Sequence, residues 1–320
     1  MNTSKIILFL RFNTISYQRF IMRIQYSIAI SILFIFGTCS DKKASKDEFA
    51  SIATIDTTGQ MNEATSELAT EVIKSIPPPV EMSSIIKNSG ADYANEILNP
   101  SSRYENYNTN FLKSINLGVY GADLGYINIY NHKEDALTYL NTVVKLAEDL
   151  KVGQFFDFET IKRVADNNKN LDSLLNITTS NFEKMNNYLQ EQQRSNISMY
   201  MLTGGWIEAL YIASKVSLDK KNKDLYEKIG EQKIALDQIL LLLSFYKHDP
   251  NAVAISKDLT KLKDIYSNIK IETVYAEPTM VEENGMLVVK DNSKTIIKIE
   301  EAQVVEIFNL ITTIRNKIVS

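Results

Sequence analysis

Apolar residues recur at intervals of three and four along most of this 320-residue chain, the spacing that gathers them on one face of an α-helix. Residues 61–75 form a first such segment, stopped by "IPPPV" because consecutive prolines cannot continue a helix. Shorter helical pieces over 81–98 end at Asn99-Pro100, and a longer helix covers 103–130. "NHKEDALTYLNTVVKLAEDL" follows, with Ala136, Leu140, Val143, Ala147 and Leu150 in one stripe and Asn131 and Glu134 spaced as a capping box. Asp157 is placed to cap a short helix ending near 168. Helices are then expected over 171–193, with Leu174, Phe182, Met185 and Leu189 on one face, over 197–217, and over 222–247, with Leu225, Ile229, Leu236, Leu240 and Leu243. Asp249-Pro250 is a cap followed by proline at the first helical position, opening a helix to 269.

The period changes after 270. "TMVEENGMLVVKDNSKTIIKI" alternates β-branched runs with Asn-Gly and Asp-Asn-Ser turns, which predicts a small antiparallel meander. Residues 300–319 return to helix, with Val304, Phe308, Ile311 and Ile318 facing inward. No fixed repeat of 34 or 40 residues is present, so an array of helical repeats is not expected. The expected fold class is mainly α. An irregular antiparallel bundle fills 61–270, and a β-meander with a terminal helix, residues 271–320, packs on it.

Composition adds an address. The single cysteine, Cys39, excludes an intrachain disulfide and a cysteine-based zinc site. Met22-Arg23 opens a short basic region, and "SIAISILFIFG" is an apolar run too short for a membrane-spanning helix but suited to a signal peptide. "FIFGTCSDKK" then places Cys39 where a bacterial lipoprotein signal places its lipidated cysteine. Residues 1–38 are therefore expected to be a signal peptide, with the true start at Met22, and Cys39 to carry acyl chains such as palmitate. An ordinary cleaved signal and an uncleaved anchor are the alternatives. Residues 39–60, poor in large apolar side chains, read as a flexible tether spanning on the order of 25 Å. Asp56-Thr57-Thr58 and Asp172-Ser173-Leu174 resemble the short acceptor motif of Bacteroidota O-glycosylation.

The net charge of −4 includes four basic residues and no acid within 1–38, so the remainder is more acidic still. Without a basic run this chain is not expected to bind nucleic acid, since phosphate neutralisation needs clustered Lys and Arg. Motifs for phosphate, dinucleotide, zinc-hydrolase and serine-hydrolase chemistry are absent. Asp166, Asn168, Asn170 and Asp172 alternate like the start of a calcium loop, but Leu171 stands where the turn glycine belongs and Ile177 where the bidentate Glu belongs. His132 and His248, the only histidines, sit at helix ends. Ser84 and Lys87 have a spacing that any helix supplies. No metal or cofactor is expected.

Two stretches break the ordinary pattern. "NLGVYGADLGYINIYN", 116–131, carries Gly118, Gly121 and Gly125, although an interior helical glycine costs about 1 kcal/mol relative to alanine. "LTGGWIEALYIASK", 202–215, carries two adjacent glycines and Trp206, the only tryptophan. Each stretch is nearly free of charge except for one acid, Asp123 in the first and Glu208 in the second. Helices apolar all round are central and buried, so the glycines are expected to form one smooth face admitting a neighbouring helix or the Trp206 indole. Asp123 and Glu208 would then meet inside, and two bare carboxylates in a low-dielectric site need a proton or a cation. Arg163 and Arg194, on the neighbouring helices, are the first expected neutralisers, ahead of Arg103 and Arg315.

These two stretches, behind a lipoprotein-like signal, resemble a family of uncharacterised predicted lipoproteins of Bacteroidota over most of 75–270. That resemblance implies an envelope location and no mechanism. The expected role is a lipid-anchored envelope protein that binds or scaffolds, facing the periplasm or the cell surface, with a protein or glycan partner. Tyr120, Tyr126, Trp206 and Tyr211 are the ligand-binding candidates, because a tyrosine offers a stacking face and a hydroxyl together. One alternative is a hydrolase or lyase using Asp123 and Glu208 as an acid/base pair. Another is a sensor or accessory subunit docking through 271–299. Carboxylates open to solvent favour chemistry, carboxylates sealed by Arg or Tyr favour architecture, and the accessory role requires exposed apolar residues on 271–299.

Overall fold

The computed structural model describes residues 63–76, 79–156, 159, 171–283, 286–290 and 292–320. Cys39, the signal and tether, and the short helix expected after Asp157 lie outside the described residues.

The chain is mainly α. Among the described residues its helices are α1 (Glu63–Ser75), α2 (Pro79–Asn88), α3 (Asn110–Tyr130), α4 (Lys133–Asp149), α5 (Leu171–Glu191), α6 (Ser195–Lys220), α7 (Lys223–Ser244), α8 (Pro250–Ser267) and α9 (Glu301–Val319). Between α8 and α9 run β1 (Lys270–Val274), β2 (Thr279–Glu283), β3 (Met286–Lys290) and β4 (Lys294–Lys298). Short 3-10 turns at Asn95–Ile97 and Ser101–Asn106 carry the chain from α2 to α3.

Helix α6 is the axis of the bundle, packed by α2, α3, α5, α7 and α9. From Ile197 to Ser217 every residue except Tyr211 and Lys215 is buried, as an all-round apolar sequence requires. Its tightest neighbour is α3, and glycine makes the approach possible. A Cβ on Gly118 would stand 1.8 Å from the Met201 carbonyl oxygen and 2.7 Å from the Gly205 nitrogen. A Cβ on Gly204 would stand 2.0 Å from the Ile115 carbonyl oxygen. The two helices therefore cross backbone against backbone, and neither position admits a side chain. Gly121 takes no part: it is exposed, with open space where a Cβ would lie. Of the expected glycine face, Gly118 meets the α6 backbone and Gly121 does not.

Most helix boundaries follow their capping chemistry. Thr109 caps α3 through Leu112 N–H, Asn222 caps α7 through Leu225 N–H, and Asp249 caps α8 through Asn251 N–H with Pro250 following. Glu300 and Gln303 form a reciprocal capping box on α9. The box expected at Asn131 and Glu134 does not form. Asn131 instead closes α3 in the left-handed region at φ 60°, and His132 occupies the start of α4 without a side-chain bond. Asparagine tolerates that conformation better than most residues, so the sharp α3–α4 turn claims it first.

The β segment is one ribbon folded on itself. β1 pairs antiparallel with β4, Lys270 opposite Lys298, and β2 pairs with β3, Thr279 opposite Lys290. Outer strand thus meets outer strand and inner meets inner, a nested hairpin in place of the expected meander, in which each strand would pair with the next. The β1–β4 root is fixed by Ile297, which is buried and packs where Gly230 of α7 leaves room; a Cβ there would stand 2.5 Å from Ile297 Cγ2.

Candidate functional site

Crossing at Gly118 and Gly204 carries Asp123 of α3 and Glu208 of α6 inward. Asp123 and Glu208 are both 0 % exposed. Arg315 of α9 reaches Glu208 in a two-pronged bond, Nε donating to Oε2 at 2.6 Å and Nη2 to Oε1 at 2.7 Å. A planar fork on a carboxylate is the strongest form of such a pair. Nη2 also donates to the Ile97 carbonyl at 3.2 Å. The guanidinium lies over the Tyr211 ring, 4.2 Å from its centroid, and Tyr211 in turn stacks on Phe308 of α9.

Two carboxyl groups thus share one guanidinium. Asp123 Oδ2 accepts the Asn99 backbone N–H at 3.2 Å, while Oδ1 meets no donor. Burial raises the Asp123 carboxyl well above the usual carboxylate range, the Glu208 charge and a hydrogen bond with Glu208 raise it further, and Arg315 and the Asn99 N–H pull against them. A carboxyl that keeps its proton can donate to the Glu208 carboxylate, which resolves the orphaned oxygen. For Arg315, burial works against the charge, but the Glu208 charge and hydrogen bonds outweigh it, with help from Asp123, and lift the guanidinium above its ordinary value. The rise of the Asp123 carboxyl thus favours its neutral form beside the Arg315–Glu208 pair.

Residues 95–107 seal this centre. Asn99, 0 % exposed, donates its Nδ2 to the Tyr107 hydroxyl at 3.0 Å, and that hydroxyl donates to the Val319 carbonyl at 3.3 Å. Arg103 also reaches Val319 O, at 3.4 Å. Asn116 of α3 donates to the Ile318 carbonyl at 2.6 Å. The last carbonyls of α9, which a helix cannot satisfy itself, are thereby capped by side chains, one of them cationic.

The four aromatic candidates are committed within the fold. Tyr120 donates to the Pro100 carbonyl at 2.8 Å, Tyr126 accepts the Ala94 N–H at 3.1 Å, and Trp206 Nε1 donates to Gln232 Oε1 at 3.0 Å. Tyr120, Tyr126 and Trp206 are buried. Tyr211 is partly buried, one ring face covered by Arg315; burial raises its hydroxyl, against the pull of Arg315. Only Tyr211 joins the acid cluster directly.

Of the expected neutralisers, Arg194 bonds the Leu150 carbonyl at 2.7 Å and Arg163 lies outside the described residues. Arg315 takes the role because α9 packs directly on α6, a neighbourhood set by packing across 107 residues of chain. A signal for it existed. Arg315 falls four residues after Ile311 and three before Ile318, on the same inward stripe of α9. Asn116 likewise precedes Asp123 by two helical turns on one face of α3. Asn99 gave no such signal, since before Pro100 it reads only as a helix stop.

No protein-family model, curated protein or solved structure matches this chain. Among the described residues, no three His, Cys, Asp or Glu side chains group as a metal site, and no helix is long and apolar enough to cross a membrane. Chemically the centre is a charge-balanced strut. A general acid must reach the proton it transfers, and neither carboxyl offers surface to a substrate.

Proposed function

We propose that this chain is a lipid-anchored cell-envelope protein, held at the membrane through an acylated Cys39 and acting by binding or scaffolding, as the resemblance to Bacteroidota lipoproteins also implies. The observation that carries the non-catalytic part is the complete burial of Asp123 and Glu208 beneath Arg315, since an acid/base pair would have to be open to its substrate. The anchor rests on the sequence around Cys39. Cell fractionation with intact-mass measurement, wild type against Cys39→Ala, tests it: the wild-type chain should be membrane-bound and acylated at Cys39, and an unacylated wild-type chain in the soluble fraction would defeat the proposal.

A second observation supports docking through the ribbon. Along the ribbon, Tyr275 is 75 % exposed, Met280 70 % and Val289 66 %, with Val274 and Ile296 also open. Apolar side chains gathered this way favour docking through 271–299.

A further inference from the structure

We propose that the ribbon joins a second copy of this chain, edge to edge and head to tail, so that strands β1–β2 of one copy lie beside strands β3–β4 of the next. This rests on the reading of 271–299 as a docking element and names its partner.

Three observations carry it. First, among the described residues each of the four strands has a single strand partner, which leaves β1 and β2 along one side of the ribbon and β3 and β4 along the other without a second strand, although β4 also packs on α7. An open edge is a row of unpaired N–H and C=O groups that templates another strand. Second, the two sides differ in charge. Residues 270–283 carry Glu272, Glu277, Glu282 and Glu283 against Lys270, while 286–298 carry Lys290, Lys294 and Lys298 against Asp291. Like edges therefore repel and unlike edges attract, which disfavours a two-fold pairing of either edge with itself and favours the head-to-tail one. The attraction is already realised inside the chain, where Lys298 Nζ bonds Glu272 across the ribbon at 2.8 Å. Third, Val274, Met280, Val289 and Ile296 stand exposed on the same strands, with Tyr275 exposed between β1 and β2, ready to be covered by the neighbour. A head-to-tail contact of this kind either closes into a ring or propagates as a filament.

Charge inversion tests it on the full-length chain in detergent. Lys290→Glu/Lys294→Glu makes both edges acidic, and Glu277→Lys/Glu282→Lys makes both basic; in the backbone register Lys290 stands opposite Thr279, Lys294 opposite Val274 and Glu282 opposite Leu287. Wild-type protein should self-associate in analytical ultracentrifugation and dissociate as salt is raised. Each double variant alone should associate at least tenfold more weakly, and an equimolar mixture should recover the wild-type behaviour. A wild-type chain monomeric at every concentration, or variants that associate as wild type does, would overturn the second copy as partner. A Met280→Asp/Val289→Asp chain cross-linked in membranes separates the two readings. If the wild type is monomeric but this variant loses a cross-linked partner, the ribbon docks a different protein; if it loses none, the docking reading falls as well.

Discussion

Arg315 grips Glu208 through two bonds of 2.6 and 2.7 Å, and this single pair ties the terminal helix to the axis of the bundle. Because the pair is sealed, its value shows when one member is removed. Glu208→Gln should destabilise the protein by about 3–5 kcal/mol, the usual result of leaving a buried charge uncompensated. Arg315→Met should be at least as severe, since it leaves both acids without a cation. Combining the two should recover part of that loss, because the lone charge disappears with its partner. Urea denaturation of the three variants measures this, with an exposed Glu→Gln change as the reference. A harmless Glu208→Gln, or one that stabilises, would favour the acid/base alternative, since functional sites are often strained.

Asp123 gives the pH dependence its sign. Its folded-state carboxyl is raised above the unfolded value near 3.9, so the folded protein binds the extra proton. The stability it contributes is complete below about pH 4 and declines as pH rises, by about 1.4 kcal/mol per unit, until the folded-state carboxyl also ionises. Asp123→Asn replaces the protonated acid with a neutral donor of the same shape. Its stability near pH 4 should lie within about 1 kcal/mol of wild type, and the decline on the alkaline side should vanish. Melting curves from pH 4 to pH 9 provide the check, and an unchanged slope in Asp123→Asn would remove Asp123 as its source.

The glycines of α3 separate cleanly. Gly118→Ala drives a methyl into the Met201 carbonyl and the Gly205 nitrogen, both backbone atoms that cannot step aside. Forcing α3 and α6 apart should cost about 1–3 kcal/mol or more. Gly121→Ala fills open space in a helix interior and should stabilise by about 0.5–1 kcal/mol. Thermal melts of the two variants should therefore move in opposite directions.

What the sequence made legible was set by the range of the interaction responsible. Periodicity delivered the helices, and the cap at Asp249 was legible because it acts within one turn of itself. The meeting of Asp123 with Glu208 was legible as well, since two helical stretches with glycines and almost no charge are expected to be buried neighbours. Arg315 was harder: it stands on an apolar stripe, where a charge is a clue, but nothing local says which helix that stripe will face. Asn99 and Tyr107 lay further out of reach, because their roles arise only when residues 95–107 fold over the end of α9. At Asn131 two local rules competed for one residue, and the left-handed turn prevailed over the cap.

The position of Arg315 along the chain also sets a schedule. Glu208 is made 107 residues before the cation that neutralises it, which at about 5–20 residues per second corresponds to roughly 5–20 s of synthesis. Throughout that interval α3 and α6 have their glycines and their acids but no counter-charge. Closing around them would bury a carboxylate alone. A chain that ends before α9 therefore keeps the glycine crossing and both acids but lacks the cation that Glu208 takes.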